Sequence, residues 1–241
     1  GMEKEYTGTI TLGAVTPTYD LESAPEQFKA IDSISEEQLL AAAKKFVGVI
    51  QQIPPAHSAV KVGGQRAYEL ARKGQDVAVK SREVEIKSLI FSSIRFPEID
   101  FVVTCSKGTY IRTLGEDIGI ALGCGAFLSA LRRVQSGVFV AKDCVSLTDL
   151  ESWPEDKRHA ALLPVDALLD SHQAITLQSD DAGRFLSGLR RRGDWPDHAQ
   201  VAVYGSNPYS LLGTAHVRAG ELIPERLLNP QEIQSLLESA A

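Results

Sequence analysis

The segment Cys105–Thr113 combines an aromatic side chain with a permanent cation at a spacing that could bind a planar, anionic ligand. Tyr110 and Arg112 stand two positions apart, so an extended backbone would direct both side chains to one face. A buried guanidinium requires an anionic partner or substrate, and a tyrosine ring offers a stacking surface for a nucleobase. Taken alone, the segment slightly favours a simpler interpretation, a strand end with an ordinary salt bridge and a half-buried tyrosine.

Length and composition indicate a globular protein with a substantial core. With 241 residues, of which 44% are hydrophobic, the chain is predicted to form one large and one small domain. No apolar run has the length of a membrane-spanning helix and no signal-peptide pattern is present, so no membrane partner is predicted. Cys105, Cys124 and Cys144 are too few and too scattered for a disulfide framework, which favours reduced thiols and a cytoplasmic location. The histidines show no metal-ligand spacing, so no metal site is predicted.

The charge distribution is more informative than the net charge. A net charge of −6 argues weakly against a nucleic-acid partner, but the positive charges are clustered. The three clusters are Lys61, Arg66, Arg72, Lys73, Lys80 and Arg82; then Lys107, Arg112, Arg132 and Arg133; and then Arg184, Arg190, Arg191 and Arg192. Any one cluster fits a solvated surface, whereas three clusters in an acidic chain favour an anionic partner.

Hydrophobic patterns and cap residues predict a mixed order of strands and helices. The predicted elements are a strand at Tyr6–Leu12, a helix that starts at a Ser35/Gln38 capping box and stops at Gly48, a short helix from Gln65 to Lys73, strands at Val84–Phe91 and Ile99–Cys105, a helix capped by Thr113 that ends at Gly123, a helical piece at Ala126–Arg133 and a strand near Val138–Ala141. Strands in long runs with inserted helices indicate an α+β fold rather than a doubly wound sheet.

A composition change at Pro154 and Pro164 marks a second part of the chain. Beyond it, short apolar runs separated by turn residues predict a small β-rich module. We therefore expect a first domain at residues 1–172 and a second at residues 173–241.

Between Lys4 and Leu150 the chain contains a series of short motifs. They are Lys4-Glu-Tyr6 with Leu12-Gly13, Thr16-Pro-Thr-Tyr-Asp20, Ile53-Pro-Pro-Ala-His-Ser-Ala-Val-Lys61 with Gly64 to Arg72, Cys105 to Thr113, Leu122-Gly-Cys-Gly-Ala126, and Leu131-Arg-Arg133 with Ser136-Gly137. In content and order these motifs resemble those of the bacterial tRNA pseudouridine-55 synthases (TruB family). The resemblance continues faintly to the C-terminus, where Phe185–Gly188 and Gly213 through Arg226 resemble an appended PUA-like RNA-binding module.

The resemblance implies a fold and a function. The implied fold is a pseudouridine-synthase core, a mixed or antiparallel sheet with flanking helices, followed by the PUA-like module. The implied reaction is the isomerisation of a uridine in the T-loop of tRNA, without a metal or a cofactor. The partner would be the T-arm of tRNA.

The resemblance also assigns roles to individual residues. Tyr6 corresponds to the tyrosine that stacks on the target base and assists proton removal, and Tyr110 to a second tyrosine that contacts the substrate. Leu131 corresponds to an apolar wall of the same pocket, and Arg112 to the arginine that pairs with the catalytic aspartate. The candidate phosphate contacts are Lys61, Arg66, Lys107, Arg132 and Arg133. Without the resemblance, Tyr6 and Leu131 would be interpreted as core residues.

The sequence departs from the family pattern at the catalytic aspartate. In the family it lies in a Gly-Thr-Leu-Asp-Pro motif upstream of the Lys-x-Tyr strand, and no Gly-Thr-Leu-Asp occurs in this sequence. We therefore expect a chain that lacks the N-terminal section and is inactive by itself. Arg112 is expected to pair with Glu116 or Asp117, to bind a solvent anion, or to become mobile. The missing section would expose a sheet edge, so self-association is also expected.

Two alternative functions remain open at this point. The first is a non-catalytic protein that binds or folds tRNA on the same scaffold. The second, an unrelated hydrolase that uses His57 and Ser58, has little support because the chain has no Gly-x-Ser-x-Gly motif.

Overall fold

The computed structural model describes residues 2–71, 73–74 and 79–239, which form two compact units. The first unit is Gly1–Val145 and the second is Ser146–Ala241. The boundary expected at residue 172 lies within the second unit, just before its first strand. Arg72, a member of the first basic cluster, lies outside the described residues.

In the part of the first unit that the structure describes, an antiparallel sheet is accompanied by three helices. In chain order its elements are β1 (Lys4–Leu12), α1 (Glu36–Lys44), β2 (Gly48–Gln52), β3 (Lys61–Val62), β4 (Gln65–Arg66), α2 (Ala67–Ala71), β5 (Arg82–Arg95), β6 (Glu98–Cys105), α3 (Ile111–Leu122), β7 (Ala126–Ser136), β8 (Phe139–Val140) and a 3₁₀ turn at Ala141–Asp143. The main sheet has the order β2-β5-β6-β1-β7-β8, and β3 and β4 form a separate hairpin.

The strand β1 lies in the interior of the sheet, paired with β6 on one side and with β7 on the other. Its even-numbered side chains, such as Ile10 and Leu12, enter a core that Leu114 and Ile118 of α3 close from above. The ring of Phe101 lies against Gly8, where an added Cβ would be 2.7 Å from a ring carbon. The outer strands of the sheet are therefore β2 and β8, and the sheet edge is not at the first strand of the chain.

Cap residues predicted from the sequence have mixed outcomes. The capping box of α1 is confirmed, because the Ser35 hydroxyl accepts from the Gln38 N–H at 3.2 Å and the Gln38 side chain accepts from the Ser35 N–H at 2.9 Å. Gly123 ends α3 in the left-handed conformation, as expected. Thr113 is not the cap of α3, because the helix begins at Ile111 and its N-cap is Tyr110. Gly48 does not end α1 but opens β2.

The helix predicted at Ala126–Arg133 is wrong, because the whole segment lies in the strand β7. Its local sequence suits a helix, but β7 completes the hydrogen-bond ladder of β1 along its full length. Tertiary pairing of this kind overrides weak local propensity. That this segment is a strand and not a helix matters for the site, since neighbouring residues of a strand point to opposite faces of the sheet.

The second unit is a five-stranded mixed sheet with short helices. Its elements are α4 (Leu147–Ser152), α5 (Glu155–Ala160), a 3₁₀ turn at Val165–Leu169, β9 (Gln173–Leu177), α6 (Ser179–Leu186), β10 (Arg191–Arg192), β11 (His198–Ser206), β12 (Tyr209–Arg218), β13 (Glu221–Leu227) and α7 (Pro230–Ser239). The sheet order is β10-β13-β12-β11-β9, with β9 parallel to β11. Phe185 of α6 is fully buried in its core. The expected β-rich character of this part and the α+β fold of the chain are confirmed.

None of the helices within the described ranges has both the length and the apolar character required to cross a membrane.

Candidate functional site

Arg112 joins two loops of the first unit. It lies in the first turn of α3 and donates to the carbonyl oxygen of Thr18 at 3.1 Å, to Oδ2 of Asp20 at 3.1 Å and to the carbonyl oxygen of His57 at 2.9 Å. The ion pair with Asp20 is mostly buried, with side-chain exposures of 22% for Arg112 and 23% for Asp20. The guanidinium therefore uses its planar array of donors to hold the two loops in a fixed position.

The expected partners of Arg112, Glu116 and Asp117, are wrong. Both lie on the same helix as Arg112, but the acidic partner comes from the loop after β1. Glu116 instead interacts with the hydroxyl of Tyr19. The alternatives of a solvent anion or a mobile side chain are also not needed, since three protein oxygens already accept from Arg112.

The carboxylate of Asp20 is held in place from both sides. Its Oδ1 atom accepts from the Thr18 hydroxyl at 2.7 Å and from the Glu22 N–H at 3.0 Å, while Oδ2 faces Arg112. The carbonyl oxygen of Tyr19 accepts from the Leu128 N–H at 3.0 Å, which attaches the same loop to β7. The Thr-Pro-Thr-Tyr-Asp motif thus forms a rigid bridge between α3 and the sheet.

A cleft of about 250 Å³ opens beside this ion pair. We call it the Asp20–Leu131 cleft. Its lining residues are Asp20, Leu21, Glu22, Arg112, Leu128, Ser129, Ala130 and Leu131. Two predicted site residues, Arg112 and Leu131, therefore meet in one cavity. The volume is slightly below the usual range for drug-sized ligands, so it suits a single small planar group.

Tyr6 lies on the same face of the sheet as Leu131, although it is not a lining residue of this cleft. Tyr6 is paired across the strands with Val103 and Arg133, and the next position on this face, Gly8, is paired with Leu131. The ring of Tyr6 is partly buried against the core beneath α3. Tyr6 and Arg112 are thus on one side of the sheet.

Tyr110 is held by its backbone. The buried side chain of Gln52 accepts from the Tyr110 N–H at 2.7 Å and donates to the Tyr110 carbonyl oxygen at 3.0 Å. The ring of Tyr110 lies 5.6 Å below the guanidinium of Arg82, a cation–π distance. The extended spacing inferred for Tyr110 and Arg112 is wrong, because Arg112 is already helical. The role of Gln52 has no local signature in the sequence.

The candidate phosphate contacts lie in three places. Lys61 and Arg66 are opposite each other on the β3–β4 hairpin, and Lys107 lies in the exposed turn before α3. Arg132 and Arg133 are neighbours on a strand and so point to opposite faces. Arg133 is paired with Tyr6, whereas Arg132 is paired with Thr7 on the far face.

Two half-buried acidic residues, Glu116 and Asp117, lie on α3. Burial raises the pKa of Glu116 and that of Asp117. Burial, and then the negative charge of Glu116, raise the pKa of Tyr19 to about 12. These three groups therefore favour their neutral forms more than they would in water.

The third basic cluster is partly neutralised within the second unit, by two carboxylates. Arg190 and Arg192 both pair with Glu221, and the hydrogen bond from Arg192 is the main reason that the pKa of Glu221 is lowered. Arg191 pairs with Asp181. No group of three or more His, Cys, Asp or Glu side chains within residues 2–71, 73–74 and 79–239 could hold a metal ion.

Two family models match the chain over adjoining ranges. Residues 1–111 match the model described as "TruB family pseudouridylate synthase (N terminal domain)". Residues 112–170 match the model described as "tRNA pseudouridylate synthase B C-terminal domain".

Curated relatives and solved structures agree with these matches. A protein of Verminephrobacter eiseniae named tRNA pseudouridine synthase B is 47% identical over 98% of this chain and 73% of its own length. A Ralstonia nicotianae protein of the same name is 44% identical over 94% of this chain and 75% of its own length. Among solved structures, a Cbf5-Nop10-Gar1 complex superposes with a TM-score of 0.67 at 21% identity over 96% of this chain and 68% of the other. A box H/ACA particle bound to a substrate RNA containing 2'-deoxyuridine gives a TM-score of 0.64 at 18% identity, over 95% of this chain and 67% of the other. At these identities the structures show the fold.

Proposed function

The chain belongs to the TruB family of pseudouridylate synthases, and from this premise we propose that its site serves the conversion of uridine to pseudouridine in the T-loop of tRNA. The observation behind the proposal is the Asp20–Leu131 cleft, where a fixed cation and an apolar wall adjoin the sheet face that presents Tyr6. The relatives named tRNA pseudouridine synthase B support the family reaction, which is an isomerisation.

The proposed chemistry follows from what these side chains can do. The reaction breaks the bond between the ribose and N1 of the base and forms a bond to C5, so the base gains a proton at N1 and loses one at C5. The uridine must first leave the RNA stack, at a cost of a few kcal/mol, and aromatic stacking returns about 1–3 kcal/mol per base. We assign stacking to Tyr6 and Tyr110, and the apolar wall to Leu131.

In this proposal Arg112 is the electrostatic centre of the site. Its guanidinium holds the loops of Asp20 and His57 in place and would keep a further carboxylate ionised and oriented if one entered the cleft. The sequence contains no Gly-Thr-Leu-Asp-Pro motif to supply that carboxylate. We therefore propose that this chain by itself binds the substrate without turning it over.

RNA binding would be largely electrostatic. If Lys61, Arg66, Lys107, Arg132 and Arg133 each neutralise one phosphate of a single-stranded segment, the log–log slope of affinity against salt should be about −3.5. Arg132 and Arg133 lie on opposite faces of the sheet, and of these two residues only Arg133 shares the face of Tyr6. We expect Arg133 to contribute the larger share near the flipped base.

The test measures binding and turnover together. The binding of a T-arm stem-loop is titrated at several salt concentrations, and turnover is followed as tritium released from C5-labelled uridine. We expect salt-dependent binding without release, and a slope smaller in magnitude by about 1.4 in a Lys61→Ala, Arg66→Ala double variant. Lys44→Ala, an exposed change on α1, is the matched control. Tritium release by this chain would refute the inactivity, and a flat salt response would remove the lysines and arginines from the interface.

A non-catalytic RNA-binding or tRNA-folding protein built on the same scaffold is the second candidate. Sequencing the reading frame upstream of the chain separates the two candidates. An in-frame Gly-Thr-Leu-Asp-Pro would select the enzyme, and a stop codon there would select the binding protein.

Three further proposals concern the chain as a whole. We propose a PUA-like, RNA-binding role for the β-rich part of the second unit and a reducing, cytoplasmic environment for the free thiols. We also propose self-association through the outer strand β2, where Val49 is 64% exposed. Val49→Lys should then abolish any dimer seen by analytical ultracentrifugation, and a wild-type chain that is monomeric at high concentration would contradict the proposal.

A further inference from the structure

We propose that Gln52 is a positioning residue of the site: its side-chain amide fixes the backbone of Tyr110 and thereby the start of the helix that holds Arg112. This inference rests on the proposed function only for the role of Tyr110 and Arg112 in RNA binding. The contact itself is a property of the fold.

Gln52 is one of the few polar side chains in the core of the first unit. It is the last residue of β2 and is 1% exposed. The oxygen and the nitrogen of its amide group both form hydrogen bonds with the same residue. Oε1 accepts from the Tyr110 N–H at 2.7 Å, and Nε2 donates to the Tyr110 carbonyl at 3.0 Å. A buried polar side chain costs free energy unless it is paired in this way, so its amide geometry is constrained.

The contact replaces a local helix cap with a long-range one. Tyr110 is the N-cap of α3, and its own side chain makes no capping hydrogen bond. Its carbonyl accepts the first helical bond, from the Leu114 N–H at 3.1 Å, as well as the bond from Gln52. The position at which α3 begins is therefore set by a residue 58 positions earlier in the chain.

Two neighbouring contacts link the same two segments. The Thr113 hydroxyl donates to the Ile53 carbonyl at 3.5 Å, and Arg112 donates to the His57 carbonyl at 2.9 Å. Gln52 is 1% exposed, whereas Ile53 and His57, which make the other two contacts from this segment, are more exposed. Loss of the amide should therefore let the Tyr110 backbone shift while the hydrophobic core stays packed.

The chemistry of the amide allows a discriminating set of variants. Gln52→Met keeps the volume but leaves the Tyr110 N–H without its partner and the Tyr110 carbonyl with the Leu114 N–H as its remaining donor. Gln52→Glu, when ionised, can accept from the N–H but presents a negative charge to the carbonyl. When protonated, the same carboxyl again has one donor and one acceptor and can restore both bonds. Burial raises the pKa of such a carboxyl, so the restored form is within reach of mild acid.

The experiment uses the full chain and two readouts. The first is hydrogen exchange of the Tyr110 amide in tyrosine-selective ¹⁵N-labelled protein, which contains six tyrosines, with Tyr110→Phe to assign the resonance. The second is the affinity for a T-arm stem-loop relative to the wild type at each pH from about 5.5 to 9. Controls are Gln51→Glu, the exposed neighbour on β2, and Ile86→Val, a buried core change on the adjacent strand β5.

We expect Gln52→Met to speed Tyr110 amide exchange and to weaken RNA binding, each at least tenfold, at all pH values. Gln52→Glu should behave in the same way at high pH and recover towards the wild type as the pH falls. Neither control should change either readout. If Gln52→Glu does not fold, Gln52→Asn, which shortens the side chain by one methylene, provides the second variant and should also speed Tyr110 exchange and weaken RNA binding.

The possible failures are distinguishable. Wild-type Tyr110 exchange and RNA affinity retained in folded Gln52→Met would overturn the inference. A Gln52→Glu variant whose defect is the same at every pH would also overturn the inference, because a role that depends only on side-chain volume does not change with pH. If the wild type does not bind the stem-loop, the proposed function fails, while the exchange data still decide the role of Gln52.

Discussion

The Asp20–Arg112 pair offers a prediction that can be worked out from the structure. In Asp20→Asn the amide oxygen can keep the contacts of Oδ1 with Thr18 and Glu22, so the change replaces the charged oxygen that accepts from Arg112 with an uncharged NH2 group that cannot accept. Exposed ion pairs contribute about 0–1 kcal/mol, and breaking a fully buried one costs about 3–5 kcal/mol. With both side chains roughly one-fifth exposed, we expect a loss of about 2 kcal/mol in the free energy of unfolding of the first unit.

The chain contains separate probes for its two units. Trp153 and Trp195 both belong to the second unit, so tryptophan fluorescence reports on that unit. In the first unit Cys105 and Cys124 are buried and Cys144 is exposed. Labelling of the two buried thiols along a urea series therefore measures the unfolding of the first unit, while the rapid reaction of Cys144 serves as an internal standard.

We expect Asp20→Asn to lower the urea midpoint for labelling of the buried thiols and to leave the tryptophan transition unchanged. Arg112→Met should cost more, because it also leaves the carbonyl groups of Thr18 and His57 without a partner. The loss of unfolding free energy in the double variant should be smaller than the sum of the losses in the two single variants by more than 1 kcal/mol. Additivity within about 0.5 kcal/mol would refute the pairing of Arg112 with Asp20.

The remaining predictions test the half-buried Glu116, two helical glycines and the two arginines of β7. Because burial raises the pKa of Glu116 above 4.5, its contribution to stability is present at low pH and is lost as the pH rises through the raised value. Glu116→Gln should therefore be more stable than the wild type near neutral pH, and the difference in urea midpoint should vanish below pH 4.5. Circular dichroism gives the midpoint across this pH range, since thiols do not react in acid. An added Cβ at Gly119 would be 2.3 Å from the backbone nitrogen of the following strand, so Gly119→Ala should cost about 1–3 kcal/mol in the first unit. Nothing lies within 4 Å of the same position at Gly183, so Gly183→Ala should raise the tryptophan-monitored stability of the second unit by about 0.5–1 kcal/mol. Arg133→Ala should weaken stem-loop binding more than Arg132→Ala does, since only Arg133 shares the face of Tyr6; equal losses in a filter-binding titration would contradict this assignment.

Several features of this protein were determined by the sequence alone, because their causes are local. The alternation of Tyr6–Leu12 sets a strand with one buried face, and the Ser35/Gln38 pair starts α1 through contacts three residues apart. Gly123 ends α3 because a left-handed residue is needed there. The ordered motifs likewise identify the family without any knowledge of their arrangement in space.

Only the tertiary structure decided how these pieces form a site. Arg112 finds its carboxylate at Asp20, 92 positions earlier in the chain, rather than on its own helix. Residues Ala126–Ser136 become a strand because β1 offers them a complete ladder, and this places Arg132 and Arg133 on opposite faces. The physical reason is the same in each case: the free energy comes from pairing groups that are distant in the chain, and no local pattern of residue types records which distant group will be the partner.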